Sequence, residues 1–223
     1  MAMQLNMEPR PVLAVCLNPA WQKTLIFSHL HAGEVNRARR VHECGGGKGV
    51  NVARVFRRLG LPVAVAAFTG GYPGQRLRGE FSELGVEPIL VDVAATTRCC
   101  FTVISEDNSV VTELIEPSGT ISGAEAEALQ MRINGQIRRF GAVALSGTVP
   151  PGISGEFYAS VAREAALQGV PVLLDAVKDI AATLEAGVTM LKINAAELRE
   201  LGGAEDIAGN AQRLFHRFAA LSW

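Results

Sequence analysis

The sequence predicts an α/β protein: a mostly parallel sheet covered on both faces by helices, with a small second sheet beside it. Three observations carry this. Apolar runs at 12–17, 63–68, 142–145, 170–174 and 190–193 alternate with segments of helical periodicity, and strands apolar nearly throughout belong to parallel sheets buried on both faces. Two β-like stretches, 21–41 and 88–115, interrupt that alternation. Polar residues collect just after the apolar runs, at the strand ends where open parallel sheets place their ligands.

The first run, 12–17, is a buried strand closed by Asn18-Pro19-Ala20. Residues 21–41 mix aromatic, β-branched and basic types around a turn at Ala32-Gly33 and read as two strands outside the core. Gly45-Gly46-Gly47 opens a helix running to about residue 59. After the strand at 63–68, the loop 69–74 leads into a helix marked by Leu77, Phe81 and Leu84. Residues 88–115 are β-like at Ile89-Leu90-Val91, 100–104 and 110–115, and Glu106-Asp107-Asn108-Ser109 joins the last two as a hairpin. We expect 21–41 and 88–115 to pair as one small sheet. Ser122 with Glu125 is a capping box for a helix reaching about residue 140. A strand at 142–145, a loop at 146–152 and a helix at 154–168 follow. The strand 170–174 ends at Asp175, and a short helix at 180–186, a strand at 190–193 and a helix at 195–201 come after it. The last helix, 207–220, carries Ile207, Ala211, Leu214, Phe215, Phe218 and Leu221 on one face.

Chemistry concentrates at Gly45-Gly46-Gly47-Lys48. Adjacent glycines let a ligand approach the backbone. A helix N-terminus and the Lys48 ammonium add positive charge, which suits an anion and above all a phosphate. Gly49 stands where a Walker loop needs Ser or Thr for magnesium, and the dinucleotide spacing is absent. The plainer alternative is a tight turn before a helix. Asn18, Ser146-Gly147, Asp175, Asn194 and Glu197 all follow strands, so they can meet the glycine loop in one crevice. Singly, Asn18 and Asp175 also suit turns or caps, and Glu197 a solvated helix face.

Composition sets bounds. The 223 residues are 48% hydrophobic and 19% charged, which is globular composition for one large or two small domains. With 21 basic and 22 acidic residues, nothing marks a nucleic-acid or membrane partner. Residues 1–11 lack the apolar core of a secretory signal, and no apolar run is long enough for a membrane span. Cys16, Cys44, Cys99 and Cys100 form no Cys-x-x-Cys pair. Scattered cysteines fit a reducing cytoplasm, which is the expected location.

The motifs resemble those of the PfkB, or ribokinase-like, carbohydrate kinases, in the branch of 1-phosphofructokinase and tagatose-6-phosphate kinase. The likeness runs from about residue 12 onward. Its carriers are Leu17-Asn18-Pro19-Ala20, the run from Gly46 to Arg54, Thr97-Arg98, the run from Ser146 to Gly152, and the run from Lys192 to Leu198. Thr112-Glu113-Leu114-Ile115-Glu116-Pro117 resembles the family's lid strand.

The resemblance implies a single domain with a three-layer α/β/α core and a β-sheet lid, the lid being 21–41 with 88–115. It implies ATP-dependent phosphorylation of a sugar phosphate, with Mg2+. Gly46, Gly47 and Asn51 would contact the sugar, Lys48 and Arg98 would hold its phosphate, and Ser146 and Gly147 would line the pocket. Lys192, Asn194 and Glu197 would face the nucleotide phosphates and position magnesium, directly or through water. A homodimer through the lid is expected. Gln22 stands where the family places an aspartate that grips sugar hydroxyls, and Ile193 replaces the family's proline. No Gly-Ala-Gly-Asp, the family motif that carries the catalytic base, occurs among the 223 residues. No catalytic residue is therefore assigned, and the expectation is the N-terminal portion of a kinase, roughly three-quarters of a family-sized domain. The alternatives are a non-catalytic sugar-phosphate-binding paralogue or fragment, and a kinase for neutral sugars or nucleosides. Lys48 and Arg98 argue against the latter, because a neutral sugar needs no phosphate clamp.

Overall fold

The computed structural model describes residues 9–176, 178, 180–202 and 206–218. The main sheet is built from β1 (Val12–Cys16), β4 (Val63–Thr69), β5 (Glu87–Asp92), β8 (Ala142–Ser146), β9 (Val172–Asp175) and β10 (Met190–Leu191). Its order is β10-β9-β8-β1-β4-β5, and every neighbouring pair is parallel. β1 lies at the centre, and its residues alternate between two cores. Leu13 and Val15 pack with Leu129, Ile133, Phe157 and Val161, from α3 (Gly123–Asn134) and α4 (Glu156–Leu167). Ala14 and Cys16 pack with Val50, Ala53, Leu77 and Phe81, from α1 (Lys48–Arg58) and α2 (Gly71–Leu84). These are the three layers that continuous apolar strands require.

The second sheet has the order β3-β2-β6-β7, from β2 (Ala20–Phe27), β3 (Arg40–Gly46), β6 (Arg98–Ser105) and β7 (Val110–Ile115). β2 pairs antiparallel with β3 and parallel with β6, and β6 and β7 form the expected hairpin.

Two expectations need correction. Residues 88–92 do not belong to the lid: β5 is the edge strand of the main sheet, in register with β4. Pro88 fits that edge, where a missing N–H breaks no ladder. The chain leaves the core only at Thr97, whose N–H donates to the Gly70 carbonyl at 2.9 Å while its hydroxyl accepts from the Gly70 N–H at 3.0 Å. The second strand of the first lid segment is also later than 21–41 suggested, because β3 runs through Gly45 and Gly46. Only Gly47, at φ 105°, caps the helix α1.

The capping box of Ser122 and Glu125 is present at α3, and a 3-10 turn at Ile137–Arg139 completes that segment. The remaining helices are α5 (Ala181–Glu185), α6 (Ala195–Gly202) and α7 (Ile207–Arg217). Residues 1–8 and 219–221, on which the readings of the N-terminus and the last helix partly rest, lie outside the described residues.

Candidate functional site

The glycine loop is forced by close approach. A Cβ on Gly47 would lie 2.8 Å from Cys16 Sγ, and one on Gly49 2.6 Å from Cys16 Cβ. The start of α1 therefore sits directly against the end of β1, which only glycine permits. Burial pushes the Cys16 thiol above its ordinary pKa, against the opposing pull of the Val50, Gly49 and Asn18 amides.

A cavity of about 390 Å³ opens between the main sheet and the lid. Gln22, Gly47, Lys48, Asn51, Arg98, Ser146 and Gly147 line it. Gly46 lies beneath this wall: a Cβ there would meet Gln22 Oε1 at 2.9 Å. Gln22 Nε2 donates to the Thr102 hydroxyl at 3.0 Å, so the amide is fixed within the lid. Arg98 reaches the Asn18 carbonyl with one guanidinium nitrogen at 3.3 Å. Among the described residues, the buried Nε of Arg98 and the buried Oγ of Ser146 have no partner. Both belong to residues lining the cavity, and buried polar atoms ordinarily hold a partner. Below them the Tyr158 hydroxyl donates to the Ser146 carbonyl at 3.3 Å, and burial raises its pKa.

A second cavity of about 670 Å³ shares Lys48, Gly147 and Thr148 with the first and adds Lys178 and Glu197. Lys48 stands at the junction. Its ammonium lies 2.8 Å from Asp175 and 3.8 Å from Glu197, while Lys192 approaches the other Asp175 oxygen at 3.4 Å. Asp175 thus faces two lysines from the end of β9. Asn194 and Glu197 cap α6 reciprocally: Glu197 Oε2 accepts from the Asn194 N–H at 2.8 Å, and Asn194 Oδ1 accepts from the Glu197 N–H at 2.9 Å. That arrangement leaves Glu197 Oε1 toward Lys48. Lys192 and Asn194 do not line either cavity.

The structure also brings to the site residues to which the motif reading gave no individual role. Glu113 of β7 lines the first cavity, as do Cys100, Phe101 and Thr102 of β6. Period-two alternation along β7 was the available clue to Glu113. Arg54 and Glu80 anchor the glycine loop from two different helices, and no local pattern links residues so far apart.

A model of the pfkB family of carbohydrate kinases matches residues 11–220. Among solved structures, phosphofructokinase-2 from Escherichia coli in complex with fructose-6-phosphate superposes with a TM-score of 0.82 at 22% identity, covering 96% of this chain and 72% of that one. A 1-phosphofructokinase homologue from Thermotoga maritima gives 0.81 at 24% identity, over 95% of this chain and 71% of that one. Arabidopsis thaliana ribokinase complexed with ribose and ATP gives 0.68 at 20% identity, over 96% and 70%. At such identities the likeness is one of fold.

Proposed function

The chain belongs to the pfkB family of carbohydrate kinases, and we propose that the sugar it takes already carries a phosphate. The observation behind this reading is that Arg98 and Lys48 line one cavity, with the buried Arg98 Nε unmatched among the described residues. A guanidinium and an ammonium make strong charge-assisted bonds to phosphate oxygens. The Escherichia coli phosphofructokinase-2 of the same fold binds fructose-6-phosphate, which makes a phosphorylated ketohexose the first class to test. In this reading Gln22, Asn51, Ser146, Gly147 and the Gly46–Gly47 backbone hold the sugar.

The second cavity would take the phosphates of ATP, with Lys192, Asn194 and Glu197 on that side. Among the described residues no three metal-ligating side chains meet. Magnesium, however, commonly uses one or two carboxylates plus substrate phosphates and keeps waters. Asp175 and Glu197, which both face Lys48 at 2.8 and 3.8 Å, are the carboxylates that would serve in this way. Bound there through its waters, the ion would neutralise phosphate charge. Lys48, reaching both cavities, is placed to follow charge from one to the other, and phosphoryl transfer depends mostly on such positioning and neutralisation.

A second reading is binding without turnover by a chain of these 223 residues alone, which contain no Gly-Ala-Gly-Asp. Loss of a general base typically lowers a rate about 10²–10⁴-fold. The proposal includes a homodimer through the lid, supported by the exposed apolar residues of β7, and a reducing cytoplasm, supported by four free cysteines. No described helix is long and apolar enough to cross a membrane.

The experiment is calorimetric titration with fructose 1-phosphate, fructose 6-phosphate, tagatose 6-phosphate and fructose, followed by a coupled assay for nucleoside diphosphate release. We expect the phosphates to bind more tightly than fructose, with trace turnover or none. Equal affinity for fructose and its phosphates overturns the phosphate clamp. Rapid turnover overturns the second reading and makes Asp175 the first candidate for the base.

A further inference from the structure

One side chain at the cavity is held in a single orientation by groups outside it. Asn51, in the first turns of α1, lines the cavity between core and lid. Its Oδ1 accepts from Arg54 at 2.7 Å. A guanidinium has donors only, so it fixes which end of a neighbouring amide turns toward it. The oxygen must face Arg54 and the NH2 must point elsewhere. Among the described residues that Nδ2 finds no acceptor.

Arg54 is itself anchored. The guanidinium donates to the Gly45 carbonyl at 2.6 Å and to Glu80 Oε1 at 2.6 Å. The other Glu80 oxygen accepts from the Gly45 N–H. Glu80, from α2, and Arg54, from α1, therefore hold both backbone groups of the residue that leads into Gly46 and Gly47. The pair is mostly covered, with 17% and 14% of the two side chains exposed. Room at Gly45 is tight as well: a Cβ there would meet Leu77 at 2.4 Å and Glu80 at 3.2 Å.

We infer that Arg54 and Glu80 are positioning residues that lock Asn51 as a hydrogen-bond donor into the cavity, so that this part of the wall selects an acceptor oxygen of the ligand. Two neighbouring side chains of the wall share this chemistry. Lys48 and Arg98 also only donate, so a ligand group meeting these residues must accept, as phosphoryl oxygens do. An asparagine free to flip would tolerate donor and acceptor alike. The inference rests on the sugar-phosphate reading for the identity of the ligand, and on the Arg54 geometry alone for the orientation of Asn51.

The test uses the 223-residue chain and the variants Arg54→Lys, Asn51→Ala and their combination. Lysine keeps the charge near Glu80 but has no planar fork to span Asn51, Gly45 and Glu80 together. Fructose 1-phosphate and fructose 6-phosphate are titrated by calorimetry. Arg54→Lys is expected to weaken binding about tenfold, the worth of one well-placed hydrogen bond. In the Asn51→Ala background it is expected to add less than about twofold, because the group it orients is gone. An equal penalty in both backgrounds assigns Arg54 a merely structural role and overturns the inference. A wild type that binds neither sugar phosphate overturns the sugar-phosphate reading, and the orientation is then decided without ligand. In protein labelled with 15N-asparagine, the side-chain NH2 pair absent from Asn51→Ala identifies Asn51. That pair should shift or broaden in Arg54→Lys, and an unchanged pair overturns the inference.

Discussion

The six-stranded sheet and the four-stranded lid draw on similar residue types and bury them very differently. In β1 and β4 the residues from Leu13 to Val15 and from Ala64 to Ala67 are fully covered, at 0% exposure. In β7 every residue is exposed, with Val111 at 58% and Ile115 at 60%. The core sheet is covered by helices on both faces, whereas the lid touches the core mainly along the roots of β2 and β3. There Arg76 of α2 lies 4.5 Å above the Trp21 ring and 3.0 Å from Glu43, which also pairs with Lys23 at 2.9 Å. The candidate site lies on the seam between these regimes. Gly47, Lys48, Asn51, Ser146 and Gly147 come from the core side, and Gln22, Arg98 and Glu113 from the lid. The contrast teaches a division of labour: the buried core sheet carries the fold's stability, and the exposed lid contributes side chains to the cavity without a packed core of its own.

The harshest way to break the comparison is to treat the two sheets alike. Leu145→Ala, at a site with 0% exposure, should cost about 2–5 kcal/mol of stability, as buried leucines do. Val111→Lys in the lid should shift stability by no more than about 0.5 kcal/mol, while converting a lid-mediated dimer to monomer in sedimentation velocity. Similar losses in chemical denaturation at both positions would remove the distinction.

Arg98 tests whether the seam binds through charge. Arg98→Ala should lose about 1.5–3 kcal/mol of sugar-phosphate affinity, the usual worth of a hydrogen bond to a charged group. Its affinity for free fructose should not change. A uniform loss for both ligands in calorimetry would point to a collapsed cavity instead.

Glu113 is a smaller lever. It offers an ionised acceptor in the same cavity where Gln22 stands in place of the family's aspartate. Glu113→Gln should weaken fructose 1-phosphate by about 0.5–1.5 kcal/mol and leave inorganic phosphate unaffected. Weaker binding of inorganic phosphate would place Glu113 outside the sugar's hydroxyl contacts.

The smallest effect is a pH dependence on the core side. The Ser122 backbone N–H, then the Ser122 hydroxyl and the Ala94 N–H, hold the Glu125 carboxyl below its ordinary pKa. A carboxylate favoured in the folded state stabilises above its unfolded pKa, and that contribution fades as pH falls through the folded value. Glu125→Gln should therefore lower Tm at neutral pH, and its Tm should converge with the wild type in acid. A gap that widens on acidification would reverse the sign and contradict the capping role.

Much of this was legible in sequence where one physical rule acts alone. Continuous apolar runs gave the core strands, because burial on both faces tolerates little else. Ser122 with Glu125 gave a helix start, because a capping box is local. β5 was misjudged because Glu87-Pro88 opens it with polar and N–H-less residues, which suit a core edge as well as a lid. The end of β3 was hidden because Gly45 and Gly46 read as loop, although the ladder with β2 and the Glu80 carboxylate hold them in a strand. At the site, the motif residues around Lys48 and Arg98 were visible. The Lys48–Asp175 pair and the Arg54–Glu80 anchor were not, since both join segments that meet only through the fold.

The central claim is that an anionic sugar is held at the seam between lid and core. Amide hydrogen exchange of the 223-residue chain with and without fructose 1-phosphate or fructose 6-phosphate tests it most directly. Added ligand should slow exchange at 20–23, 46–51 and 98–102, on both sides of the cavity, and leave the already protected β4 and β8 unchanged. Slowed exchange confined to segments outside these three, or none at any of them with either sugar phosphate, would contradict the account.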